Sequence, residues 1–360
     1  MSTSTMLGVR AMALVAGLAI SAGTASAAEV IKLTYISGFP PAATFIGAFV
    51  DKYVAAVDAD LAKTGNFKIE WNMAHSGQVV KPRGELDALQ QGLGDIGNVP
   101  TPFHADRLPY QKISFVTPFT TKDPAVLADV TREMARKFPE DPASWAAQGV
   151  TVLGVTTSVD NYILLSARPL AKTTDLQGVK VGGVGPNLRW IEGTGAGAVT
   201  TQMSDIYNSL QTGLYEATII FSQAAGTFKF CEPAPNLLDV GFGAAAMHAL
   251  VANSGRLKAL PAEVRDTLLK HGGTWDTEQT KLLLAGAKTG VDTCKEKYKL
   301  AIRTLSPDDA RKWAMGLAPL GLEWAKEMDA AGRPGLKYLT AYMDLMRAAK
   351  QPVVRNWDRE

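Results

Sequence analysis

Val30-Ile31-Lys32-Leu33-Thr34-Tyr35-Ile36 alternates apolar and polar side chains and is rich in β-branched residues, the pattern of a strand with one buried face. A turn at Gly38-Phe39-Pro40-Pro41 leads to a helix that Thr44 can cap. Its Phe45, Phe49, Tyr53 and Val57 repeat at four-residue steps. Phe67-Lys68-Ile69-Glu70-Trp71 follows as a second strand. Arg83 to Gln91 is a short helix stopped by Gly92, and a third, buried strand lies around Asp95-Ile96-Gly97-Asn98-Val99. Strand, helix, strand, helix, strand is the order of an α/β fold.

The middle of the chain repeats the theme. Gly149 to Thr156, Tyr162 to Ser166, Val179 to Val184 and Thr218 to Phe221 read as strands. Ser204 can cap a helix that runs to Gly213. The last third reads as helical. Pro261 opens one helix, Ser306-Pro307-Asp308-Asp309 opens another, and Trp275 to Tyr298 is continuous enough for one long helix. No stretch of linker composition divides the halves, so two α/β lobes with crossing connections are expected.

Upstream, Arg10 precedes an apolar run, Ala11 to Ile20, and Ala25-Ser26-Ala27 supplies a small-x-small cleavage site. Residues 1–27 are therefore read as a secretory signal peptide, which places the mature chain in the periplasm. The run is shorter than the roughly 20 residues that span a bilayer. A short anchor helix is the competing reading. Cleavage removes one basic residue, Arg10, and lowers the formal charge from +2 to +1.

Composition narrows the function classes. The 360 residues are 46% hydrophobic and 20% charged, too apolar for a disordered chain. The 37 basic and 35 acidic residues nearly cancel, which gives no field for sequence-independent nucleic-acid binding. No later segment is apolar enough to embed in a membrane. Cys231 and Cys294 are the only cysteines; an exported chain can pair them, or they can be two buried thiols.

Motifs for catalysis are missing. The four histidines lack the i, i+4 spacing of a helical zinc site, and there is neither a Cys-x-x-Cys, a Gly-x-Ser-x-Gly elbow nor a phosphate loop. The glycines of Gly182-Gly183-Val184-Gly185 and Gly193-Thr194-Gly195-Ala196-Gly197 are out of register for a dinucleotide turn. No cofactor is expected. An exported enzyme using the same fold would need a nucleophile, base or metal set that is not seen. A binding cleft at the strand ends, where two lobes face each other, is the better expectation.

Several segments, in order, resemble the solute-binding proteins of TRAP transporters, of the C4-dicarboxylate-binding type. Asp175-Leu176-Gln177-Gly178-Val179-Lys180-Val181 is similar to the family's D-L-K-G-L-K-I, and Met203 to Gly213 (M-S-D-I-Y-N-S-L-Q-T-G) to its F-S-E-V-Y-x-A-L-Q-T-G. Gly77-Gln78 with Glu85 to Gly92 and Asp95 resembles a further stretch, and Leu260-Pro261-Ala262-Glu263-Val264-Arg265 a helix start. The likeness runs from about residue 30 to about residue 330.

The resemblance implies a two-lobed periplasmic binding protein with interleaved domains, a central ligand cleft and a long connecting helix. Lobe I would comprise 28–153 with about 245–280, lobe II 154–244 with about 281–345, and 346–360 a C-terminal tail. It implies a monomer that closes on a small molecule and delivers it to sodium-driven TRAP membrane subunits.

Most members hold a carboxylate with an arginine directly after K-I; here that position is Gly182. Asn161 and Tyr162 fall where members often carry a second ligand-facing arginine, and Met203 replaces the F of F-S-E-V-Y. After Q-T-G, the polar D-G-Q-E-N-P becomes Glu216-Ala217-Thr218-Ile219-Ile220-Phe221. Two readings stay open. In one, Arg189, beside Trp190, takes over the carboxylate of an acid with an apolar or aromatic body. In the other, the ligand is not a simple carboxylate. Phe39, Pro40, Asn98, Phe221 and Ser222 are further wall candidates, and Arg83 a further anion partner.

Overall fold

A computed structural model describes residues 1–3, 27–156 and 159–359; the proposed signal segment lies almost entirely outside the described residues. Two sheets organise the chain. The first has the order β2-β1-β3-β10-β4, from β1 (Glu29–Ile36), β2 (Phe67–Ala74), β3 (Ile96–Pro100), β4 (Val150–Thr156) and β10 (His248–Asn253). The second has the order β11-β9-β5-β8-β6-β7, from β5 (Val159–Ser166), β6 (Lys180–Gly183), β7 (Gly197–Thr200), β8 (Ala217–Phe221), β9 (Asn236–Ala245) and β11 (Ala301–Thr304). β1 runs parallel to β2 and β3, while β10 runs antiparallel to β3 and β4. β10 thus returns the chain to the first sheet after β9 has completed part of the second. The halves are interleaved.

Each strand expected from the sequence is present, within a few residues of its expected limits. β9, β10 and β11 lie in the third expected to be helical. β9 reads Asn236-Leu-Leu-Asp-Val-Gly-Phe-Gly-Ala-Ala245, where small residues hide the alternation, and partners in the sheet decide its state.

The first helical segment keeps its four-residue apolar row: Phe45, Phe49, Tyr53 and Val57 are all buried. A step of four drifts around an α-helix of 3.6 residues per turn. The wider π turn at Phe49–Tyr53 brings the row back into line. Ala43, not Thr44, occupies the N-cap. Ser204 does not cap its helix either; its hydroxyl donates to Asp205 Oδ1 at 2.9 Å, and the α-helix starts at Ile206. Ser306 does cap as expected, accepting from Asp309 N at 3.1 Å.

The long helix, Gly272–Tyr298, crosses from one half to the other. Near its start, Trp275 Nε1 donates to Phe45 O at 2.9 Å, on the helix above the first sheet. Near its end, Gly290 meets Gly226 of helix Ser222–Thr227 so closely that a Cβ on Gly226 would lie 2.2 Å from Gly290 Cα. One turn on, Cys294 is bonded to Cys231, with the Cα atoms 5.9 Å apart.

Residues 346–359 are packed, not trailing. They begin inside helix Gly335–Ala348, and Trp357 is fully buried with its indole donating to Pro118 O at 2.7 Å. Arg355 donates to Ala314 O and Leu317 O at 2.6 and 2.7 Å. Among the described residues no helix is long and apolar enough to cross a membrane, and no cluster of three or more His, Cys, Asp or Glu could hold a metal ion.

Candidate functional site

β1, β3 and β6 end, and β10 begins, at the edge where the two sheets face each other. The loops there enclose a cavity of about 280 Å³. The first half contributes Gly38, Phe39, Pro40, Pro82, Arg83 and Phe103; Val184, Gln202, Met203, Ser204 and Phe228 come from the other side, with Met247 in the crossover from β9 to β10. The size is near the lower end of the ~300–1,000 Å³ typical of small-molecule sites. An adjoining cavity of about 40 Å³ shares Phe39, Met203, Phe228 and Met247 and adds Phe221, Phe45 and His248. His248 stacks on Phe45 with ring centroids 3.8 Å apart, and burial pulls its pKa down to about 3, so its imidazole is neutral.

Among the described residues, Arg83 is the one charged side chain lining the larger cavity. Its guanidinium carbon lies 4.0 Å from the centre of the Phe103 ring. Its backbone is left-handed, φ 79°, which delays the following helix to Glu85–Gln90 instead of Arg83 to Gln91.

The other sequence candidates divide between wall and support. Phe39, Pro40 and Met203 line the larger cavity, and Phe221 the smaller. Tyr162 is buried behind them, edge-on to Trp190 and Phe221. Trp190 is core: it stacks on Phe115 and donates its indole N–H to Phe115 O at 2.8 Å. Asn161 ties the second sheet, donating to Asp239 Oδ1 at 2.8 Å and accepting from Gly243 N at 3.1 Å. Ser222 donates to Asn161 O at 3.2 Å. Asn98 is fully buried, accepts from the Tyr35 hydroxyl, and leaves its Nδ2 without a partner.

Arg189 sits outside both cavities. It is paired with two carboxylates, Glu323 at 2.9 Å and Glu192 at 3.4 Å. At Gly182 there is no vacant socket, because the Tyr215 ring fills the space: a Cβ there would lie 2.6 Å from it.

The scan against protein families matches residues 49–327 to DctP, bacterial extracellular solute-binding protein family 7. The chain belongs to this family. It is a member of a family of solute-binding proteins. A curated solute-binding protein of Albidiferax ferrireducens is 23% identical over 290 residues, covering 76% of this chain and 81% of its own. The fold matches a TRAP periplasmic solute-binding protein from Desulfovibrio salexigens, with TM-score 0.77, 20% identity, and 88% and 96% of the two chains covered. It also matches DctP7 of Bordetella pertussis, a receptor binding pyroglutamic acid, with TM-score 0.74, 18% identity, and 88% and 99% covered. A Bordetella bronchiseptica TRAP protein with bound mandelate gives TM-score 0.72 at 18% identity, with 89% and 99% covered.

Phe103, Phe228 and Met247 were not singled out by the family motifs. Lone aromatic and methionine residues in loops carry no spacing signal, and only the folded crossovers bring them together.

Glu85 lies under the Gly38 turn, accepting from Gly38 N at 3.0 Å, with its second oxygen unpartnered. Burial raises its carboxyl from 4.5 to about 7. A raised folded pKa means that the folded chain holds the proton more tightly. The resulting stability is complete below pH 4.5 and is lost as pH rises through about 7. Glu85→Gln is therefore expected to flatten the stability–pH curve between pH 5 and 8. It should gain on the order of 2 kcal/mol at pH 8, as read from urea unfolding. An unchanged slope would remove Glu85 as its source.

Proposed function

We propose that this chain is an extracytoplasmic receptor that captures a small organic acid with an apolar or aromatic body and delivers it to a sodium-driven TRAP transporter. The carrying observation is the inter-sheet cavity, walled by Phe39, Phe103, Met203, Phe228 and Met247 with one cation, Arg83. The mandelate and pyroglutamic acid bound by fold relatives are organic acids of suitable size. The Ala25-Ser26-Ala27 site supports export to the periplasm after cleavage, and the mature chain is read as a monomer. The sheet memberships support lobes of 28–153 with about 245–280 and of 154–244 with about 281–345.

Ligand would shift an open–closed balance, because each half supplies part of the wall. A library of aromatic, keto and dicarboxylic acids should contain a compound that raises the melting midpoint, with the rise growing as the logarithm of its excess over Kd. X-ray scattering should show compaction with that compound. No response to any acid in the library would remove the organic-acid class. Gly182 and Tyr162, standing where family arginines are usual, favour a second reading, a ligand that is not a simple carboxylate. Response to non-carboxylate compounds alone would select it.

A further inference from the structure

Three features single out Arg83. It alone is charged among the described residues lining the inter-sheet cavity. No carboxylate among the described residues lies within ion-pair distance of it, whereas Arg189 is held by two. Its backbone occupies the left-handed region, φ 79°, where a non-glycine residue persists only if its surroundings impose it.

The guanidinium lies against the face of Phe103 at 4.0 Å. Such stacking holds the plane of the fork and leaves its N–H edge free for two parallel hydrogen bonds to a carboxylate. The remaining lining has few charge-matching groups: Gln202 and Ser204 are its only other polar side chains. The histidine of the adjoining cavity is neutral and offers no second cation.

We propose that Arg83 is the carboxylate anchor of this receptor, and that its ligand class is monocarboxylates with a flat apolar body, with doubly charged acids excluded. The inference rests on the receptor reading above and adds an anchor and a charge rule. One carboxylate meets one fork; a second would enter an apolar wall without a partner, which disfavours its burial. The acid would lie with its carboxylate toward Arg83 and its ring among Phe39, Phe228, Met203 and Met247.

Calorimetry on the mature full-length chain tests this with benzoate, phenylacetate and mandelate, the amides of the last two, and phenylmalonate as the doubly charged form. At least one monoacid is expected to bind, with its amide and phenylmalonate weaker by about 100-fold or more. Arg83→Ala should lose the same factor, and Arg83→Lys, which keeps the charge without the fork, should recover part of it. Arg83→Gly suits the left-handed backbone, so it should lose binding while leaving the unliganded melting midpoint intact. A monoacid bound equally by wild type and Arg83→Ala, or no more tightly than its amide or phenylmalonate, overturns the anchor and leaves the receptor reading standing. Failure of all three monoacids to bind overturns the monocarboxylate class proposed here; the organic-acid reading falls only if no acid of the wider library responds.

Discussion

Writing the usual family arginine back into the chain, Gly182→Arg, is expected to give a destabilised protein with no gain in affinity for dicarboxylates. The position is occupied by packing, not left as a gap. A Cβ at Gly182 would lie 2.6, 2.7 and 2.8 Å from three carbons of the Tyr215 ring, closer than real contacts allow. Tyr215 has no room to withdraw: it is fully buried, and its hydroxyl donates to Thr201 Oγ1 at 3.3 Å. Overpacking a core costs about 1–3 kcal/mol, and a buried charge left without its partner about 3–5 kcal/mol. A loss of about 3–5 kcal/mol in urea unfolding is therefore expected. Adding Tyr215→Ala opens the space and should recover much of it. A Gly182→Arg protein with wild-type stability that binds succinate would show that the old socket is still available.

Gly182 also shows what the sequence could and could not disclose. The missing arginine was visible in the motif Asp175 to Val181, and so was the need for another anion partner. Which arginine could serve was not visible. Arg189 stands seven residues on and looked well placed at a helix start. In the fold it pairs with Glu323, far along the chain, and it is not among the residues that line either cavity. Arg83 reads from the sequence as the first residue of a helix, Arg83 to Gln91. Its left-handed backbone removes it from that helix and puts it in the cavity wall.

The fold was easier to read, because strands such as Val30 to Ile36 and helix starts such as Ser306 are local signals. β10 and β11 were missed, since short strands of ordinary composition are fixed by their neighbours: Ala249 by Val99 and Val155, and Ile302 by Leu237. Trp190, read from the sequence as a neighbour of the carboxylate partner, lies in the core. Its indole donation to Phe115 O, a residue 75 positions away, fixes it there.

Replacing both bridge cysteines, Cys231→Ala with Cys294→Ala, is expected to lower stability by about 2–4 kcal/mol and to weaken ligand binding as well. The bridge closes a loop across a separation of 63 residues, so it removes much freedom from the unfolded chain. It also acts locally. Helix Ser222–Thr227 lies on the long helix through glycine backbone at Gly226 and Gly290, with the Gln223 side chain against Gly286 one turn earlier. The bond one turn beyond Gly290 holds that crossing in place. Phe228, three residues before Cys231, lines both cavities, so slack at the bridge becomes slack in the ligand wall. The other end of the long helix keeps its own tether at Trp275, so the first half should stay folded. Urea unfolding of the double variant should match wild type under reductant, and reductant should not change the double variant. Affinity for the acid found by thermal shift should fall in both cases. A midpoint equal to that of the oxidised wild type would mean that the bridge adds nothing. A lower midpoint with unaltered affinity would mean that it stabilises the second half without fixing Phe228.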